Sequence, residues 1–321
     1  MKRKLLSAVL AVALVLSLVS CDAVVDLMGK MGNNLTGVDT AQVETAVKSV
    51  TVSEEKKTTV KTTEQKTINN KTVKDASTFT YKGDDGEEKE LYTVGTIESE
   101  DGKTKTNVIG LSDVAVIELP ETTTVDLSEV KSVLPPQDIS SVSEKLSGGN
   151  KEEMLKQLDT PVEDETTKEA AGGTKLVVQA ILESANDIID DDDEAEASKQ
   201  SKEVIKTVLT NMEKKDTELT MGDVVVLQAL TNLICEAPDA VAEVVKTKDT
   251  SSSTGTAEES SSSDSKDATV NLLDEANDTL IATAEILNTV SSSTTLFEGI
   301  DLTTLMGLLM TSSESGTTEG K

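Results

Sequence analysis

The chain reads as an α+β protein: a small antiparallel β-meander near the N-terminus, then a mainly helical C-terminal bundle with long disordered linkers. Three observations carry that expectation. Threonine- and aromatic-bearing alternation fills residues 77–119, helical spacing of apolar residues dominates after about residue 139, and Ser/Thr-rich acidic stretches interrupt the helical half.

Taken in order, the meander comes from Phe79 and Tyr81 alternating with threonines, followed by Gly83-Asp84-Asp85-Gly86. Glu90 to Ile97 sets Tyr92, Val94 and Thr96 on one face, and Ser99-Glu100-Asp101-Gly102 turns the chain before Lys103 to Ile109. Asp-Gly between alternating segments is a hairpin signal. Asp113 to Leu119 adds a further strand, and Pro120 and Pro135-Pro136 punctuate the chain.

Helices follow. In Thr174 to Ile189, Val177, Ile181, Ala185 and Ile188 recur at helical spacing, and Ala197 to Lys215 repeats it through Ile205, Val208 and Met212. Met221 to Glu236 is apolar nearly all round and belongs at the centre of the bundle, with Thr220 and Asp223 forming a capping box. Pro238 opens a helix to about Lys246, Asp267 to Val290 carries Leu273, Leu280 and Leu287 on one face, and Asp301 to Met310 ends the series. Thr160 to Gly173 reads as a polar linker closed by Gly172-Gly173. The domain scheme is therefore 1–20, a leader; 21–76, a tether or stalk with a short helix near Gln42 to Val50; 77–119, the meander; 139–310, the bundle with a flexible insert at 247–266; and 311–321, a disordered tail.

Composition narrows the chemistry. The formal charge is −29, and loss of residues 1–20, with three bases and no acid, takes it to −32. Such a chain repels phosphate backbones, so nucleic acid is not an expected partner. Histidine and tryptophan are absent and only two Tyr and two Phe are present. Without histidine there is no Ser-His-Asp, Cys-His, HExxH or zinc-finger chemistry, and few aromatics weigh against a buried organic-ligand cleft. No cofactor and no metal is expected, and the chain is read as not an enzyme.

Individual candidates resolve the same way. Asp190 to Asp193 with Glu194 and Glu196 is the densest acidic cluster, yet it lacks the glycine and ligand spacing of an EF-hand and suits the positive end of the following helix. Asp84-Asp85-Gly86-Glu87 is a turn needing no ion. Ser53/Lys56 and Ser263/Lys266 fit S-x-x-K but lie in polar surroundings that do not depress a lysine pKa. Cys235 sits in the apolar run after Val224 and reads as a small core hydrophobe. Leu302 to Met310 is an apolar strip that closes the bundle or docks a partner.

The first residues say most about function. Lys2, Arg3 and Lys4 precede the uncharged apolar run Leu5 to Val19, and Leu18-Val19-Ser20-Cys21 closes it. The run fits a signal-peptide h-region and is short for a membrane span. At these residues the chain resembles a bacterial lipoprotein precursor, Leu18 to Cys21 being similar to a lipobox. The resemblance implies diacylglyceryl transfer to the Cys21 thiol, cleavage after Ser20 and acylation of the new amino group. It implies a lipidation site at Cys21 and a mature chain held at a bacterial membrane in the cell envelope, inner or outer. The expected function is a lipid-anchored envelope or surface lipoprotein, non-enzymatic, working through contacts with a protein partner. The alternative is a transporter-associated periplasmic binding protein, which requires a doubly wound fold with two lobes.

Overall fold

A computed structural model describes residues 40–83, 85–99, 102–148, 150–188, 196–214, 218–236, 238, 286, 289–290 and 293–298. Its elements are helix α1 (Thr40–Ser49), strands β1 (Thr59–Ile68), β2 (Lys71–Lys82), β3 (Glu88–Glu98), β4 (Lys105–Leu111) and β5 (Ala115–Glu118), and helices α2 (Ser140–Ser147), α3 (Lys151–Leu158), α4 (Glu165–Ile188), α5 (Glu196–Glu213) and α6 (Met221–Glu236). The fold is mixed α+β. The five strands form one antiparallel meander in chain order. That order is unlike the parallel, doubly wound lobes that the binding-protein reading requires.

The sheet begins earlier than its composition suggests, which corrects the reading of 51–76 as a stalk. β1 is exposed along nearly its whole length until Ile68. Its order comes from a continuous ladder with β2 and from cross-strand pairs, Thr59 with Thr80 and Lys61 with Glu88, rather than from apolar burial. Asn69 and Asn70 make the two-residue turn into β2 with φ of 44° and 62°, the left-handed pair that asparagine tolerates.

The β1–β2 hairpin then curls over the sheet. Ile68, Val73 and Ala76 pack with Val108 and Val116 in a small core of their own. Two glycines allow the approach. A Cβ on Gly95 would lie 2.6 Å from the Lys74 carbonyl, and one on Gly110 would lie 2.5 Å from Ile68 Cδ1. Irregular register beside Asp75, whose φ is 51°, bends β2 toward this contact. Farther along the curl Lys66 Nζ donates to the Thr78 and Thr93 hydroxyls and pairs with Glu90.

The other sheet face presents Phe79, Tyr92, Ile109, Leu111 and Ile117 to Val177 and Ala180 of α4 and Ile234 of α6. A third and larger core joins α1, α2, α3, α4, α5 and α6 with Leu134, Ile286, Val290, Leu296 and Phe297. Helix α6 is buried from Met221 through Thr231, as its all-round apolar sequence predicts. The expected box forms: Asp223 N–H donates to Thr220 Oγ1 at 3.2 Å, and Thr220 N–H donates to Asp223 Oδ2 at 2.9 Å.

Thr160–Gly173 is no flexible linker. Pro161 bridges Thr220, Asp164 Oδ2 accepts from the Thr167 N–H and hydroxyl at 2.7 Å each, and α4 starts at Glu165. Gly172 and Gly173 lie inside α4. A Cβ on Gly173 would sit 1.8 Å from the Ser132 carbonyl, so this glycine serves a close chain crossing.

Candidate functional site

A strap, Val130–Ile139, runs between the sheet and α6. Pro135 and Pro136 bar it from helix and leave it without a strand partner. Its backbone groups are inside the protein and need partners, which four side chains supply. Thr58 Oγ1 donates to the Val133 carbonyl at 2.9 Å and accepts from its N–H at 3.1 Å. Thr174 Oγ1 accepts from Leu134 N–H at 2.7 Å, and Gln228 Nε2 donates to the Pro135 carbonyl at 2.7 Å. Asn232 grips Gln137 through both its N–H, at 3.1 Å, and its carbonyl, at 2.7 Å.

Where the strap leaves the core, a cleft of about 700 Å³ opens. Tyr81, Lys82 and Lys89 line one wall from the sheet, Pro135 to Ser140 form another, and Asn232, Cys235 and Glu236 close it from the end of α6. Lys56 stands at the rim. Its size falls within the range of small-ligand sites, and three lysines converge there in a strongly acidic chain.

The groups on this cleft are tuned by ordinary causes. Burial pushes the Cys235 thiol up to about 12, and the Glu236 charge adds to that. The thiol is a neutral wall at physiological pH rather than a nucleophile or metal ligand. Lys89 lies above the usual lysine range through its hydrogen bond to Asp85, which is lowered for the same reason. Asp138 is lowered because its Oδ1 accepts from the Ser140 N–H at 2.8 Å. The cleft therefore offers ammonium and amide donors, the Asp138 and Glu236 carboxylates, a hydroxyl-bearing ring and a neutral thiol.

A second, wider depression of about 1380 Å³ lies between the 3₁₀ turn Leu127–Glu129 and α4 and α5. Lys175 projects into it and is lowered by burial. Acids outnumber lysines along its walls, Asp126, Glu129, Glu169, Glu213 and Glu218 against Lys131, Lys168 and Lys175.

Cys21, the residues of 1–39, Asp190 to Glu194, the insert 247–266 with Ser263 and Lys266, the expected helix to Lys246, most of Asp267 to Val290, the strip Leu302 to Met310 and the tail lie outside the described residues. Glu196 opens α5. Asp85 accepts from the Glu87 N–H at 3.0 Å and pairs with Lys89, which fits a turn rather than an ion site. Ser53 receives the Lys56 and Lys57 N–H groups on its carbonyl, a backbone turn that uses neither its hydroxyl nor the Lys56 amine. Cys235 is half-buried against the sheet-facing core and touches the cleft, so it is less enclosed than a core hydrophobe. Among the described residues no group of three or more Cys, Asp or Glu could hold a metal ion, and no helix is long and apolar enough to cross a membrane.

No family model, curated protein or solved structure matches this chain.

The strap's partners escaped sequence reasoning. One signal for them existed: Gln228 and Asn232 are polar residues one helical turn apart in an otherwise apolar run. Thr58 and Thr174 carry no comparable mark among the chain's many threonines.

Proposed function

We propose that the mature chain is a lipid-anchored bacterial envelope or surface lipoprotein, attached through acyl chains on Cys21 and acting by protein–protein contact rather than catalysis. The observation that carries this reading is the N-terminal segment: Lys2 to Lys4, the apolar run Leu5 to Val19, then Cys21. Each buried methylene contributes about 0.8 kcal/mol, so two or three chains on one cysteine hold a protein durably. Eighteen residues separate Cys21 from α1, a length that reaches at most about 60 Å. That reach and the chain's negative charge keep the body clear of anionic headgroups.

The folded part suits display. We read the helices after residue 139 as one bundle centred on α6, with the sheet on its flank. Its buried carboxylate, Asp223, is occupied by backbone and hydroxyl donors that hold the fold together. The cleft beside Cys235, rimmed by lysines, is the place where an acidic partner segment would engage, and nucleic acid is not a partner.

Protease shaving of intact cells tests the placement, with a periplasmic protein as control. Loss of the full-length band while the control survives is the outcome for surface display. Survival until the envelope is breached turns the search to periplasmic partners. A Cys21→Ser chain that still incorporates labelled fatty acid contradicts the anchor.

A further inference from the structure

In the cleft beside Cys235, two lysines stand without a partner. On the strands Lys61, Lys66, Lys71, Lys74, Lys89 and Lys105 each reach a carboxylate. Lys82, which ends β2 in the cleft wall, pairs with none among the described residues. Glu88 feels its charge but is itself held by Lys61 at 2.7 Å and by the Thr80 hydroxyl at 2.6 Å. Lys56, at the rim, is likewise unpaired among the described residues, although its neighbour Lys57 meets Glu54 at 2.6 Å. The other charges of the cleft are engaged: Lys89 with Asp85 at 2.9 Å, Asp138 with the Ser140 N–H at 2.8 Å, and Glu236 also has a partner. With 59 acids to 30 bases in the chain, scarcity of carboxylates does not explain two bare ammonium groups at one place.

Beside them the lining turns apolar. Tyr81, Pro135, Pro136 and Ile139 line the cleft, and the Cys235 thiol adds a neutral surface because burial keeps its proton on. A volume of about 700 Å³ suits a small molecule or the end of a chain rather than a folded surface. An ammonium gives a carboxylate a charge-assisted hydrogen bond, stronger than one to a neutral amide.

We infer that the cleft binds one carboxylate carried on a compact apolar body, with Lys56 and Lys82 on the carboxylate and Tyr81 and Pro136 against the body. A free organic acid and the C-terminus of a partner chain ending in an apolar residue present the same chemistry. The inference rests on the reading of this cleft as the place where an acidic segment engages, and it names what is recognised there: a single charge with an apolar neighbour.

Ligand-observed NMR titration of the full chain tests this with phenylacetate, N-acetyl-Gly-Phe with a free C-terminus, the primary amide of each, and amidated N-acetyl-Glu-Ser-Glu. The expected result is binding of phenylacetate, the free peptide or both with a Kd of about 1 mM, and at least about tenfold weaker binding of the matching amide. Lys82→Gln and Lys56→Gln each weaken that binding, whereas Lys131→Gln, on the other depression, leaves it unchanged. Phenylacetate binding without the peptide supports a free acid as the source, and the reverse supports a chain terminus. Amides that bind as well as the acids, or an unchanged affinity in Lys82→Gln, overturn the inference. Binding of amidated Glu-Ser-Glu alone, dependent on Lys82, leaves the acidic-segment reading standing and overturns this one. No binding of any probe at about 20 mM overturns both.

Discussion

Asn232 holds Gln137 by both backbone groups, accepting from its N–H at 3.1 Å and donating to its carbonyl at 2.7 Å, as a neighbouring strand would. Gln228, one turn earlier, donates to the Pro135 carbonyl and to Asn232 Oδ1, so two side chains of α6 replace a β-ladder. Asn232→Ala strands an N–H and a carbonyl on the strap and is expected to cost about 2 kcal/mol. Asn232→Asp keeps the acceptor and loses the donor, and it is also destabilising because a carboxylate then faces the Gln137 carbonyl. Urea unfolding at unchanged m-value measures both. Indistinguishable midpoints for wild type and Asn232→Ala would remove the strap from the account.

Adjacent glycines in α4 carry opposite expectations. A Cβ on Gly172 meets open space, whereas one on Gly173 collides with the Ser132 carbonyl at 1.8 Å. Gly172→Ala is expected to stabilise by about 0.5–1 kcal/mol through helix propensity. Gly173→Ala must push the strap away and is expected to destabilise by about 2–4 kcal/mol. Thermal melts of the two variants side by side decide it, and equal shifts would contradict the close crossing.

Cys235 gives a chemical prediction. With its thiol pushed up to about 12, against an ordinary value of about 8.5, the folded chain holds on the order of two thousandfold less thiolate at pH 8. Alkylation is therefore slow in the native protein and fast in denaturant. The folded state retains this proton more tightly than the unfolded one. Its contribution is intact below the ordinary thiol range and is lost as pH rises toward about 12. Cys235→Ala should flatten that alkaline decline, leaving the part due to Tyr92, whose hydroxyl burial also raises. Rapid native labelling at pH 8 would show the thiol to be open.

What sequence made legible follows from where apolar periodicity is strong. Met221–Glu236, the Thr220–Asp223 box and the strands around Phe79 and Tyr92 stand out because burial shapes each of them. β1 does not, since its residues gain order from pairing with β2 while remaining exposed. Asn69-Asn70 is its one local signal, and the polar residues on either side show no apolar alternation to frame it. Gly172-Gly173 misleads for a different reason: in composition a glycine pair resembles a linker, but inside a folded helix Gly173 accommodates the chain crossing at Ser132. The cleft was equally hidden, assembled from residues scattered between Ser49 and Glu236.

Mass spectrometry of the N-terminal peptide from purified membrane-fraction protein is the decisive test of the anchor proposed at Cys21. The expected result is a chain beginning at Cys21 and carrying a thioether-linked diacylglyceryl group. A chain that begins at Met1, or that carries Cys21 as an unmodified thiol, would contradict it.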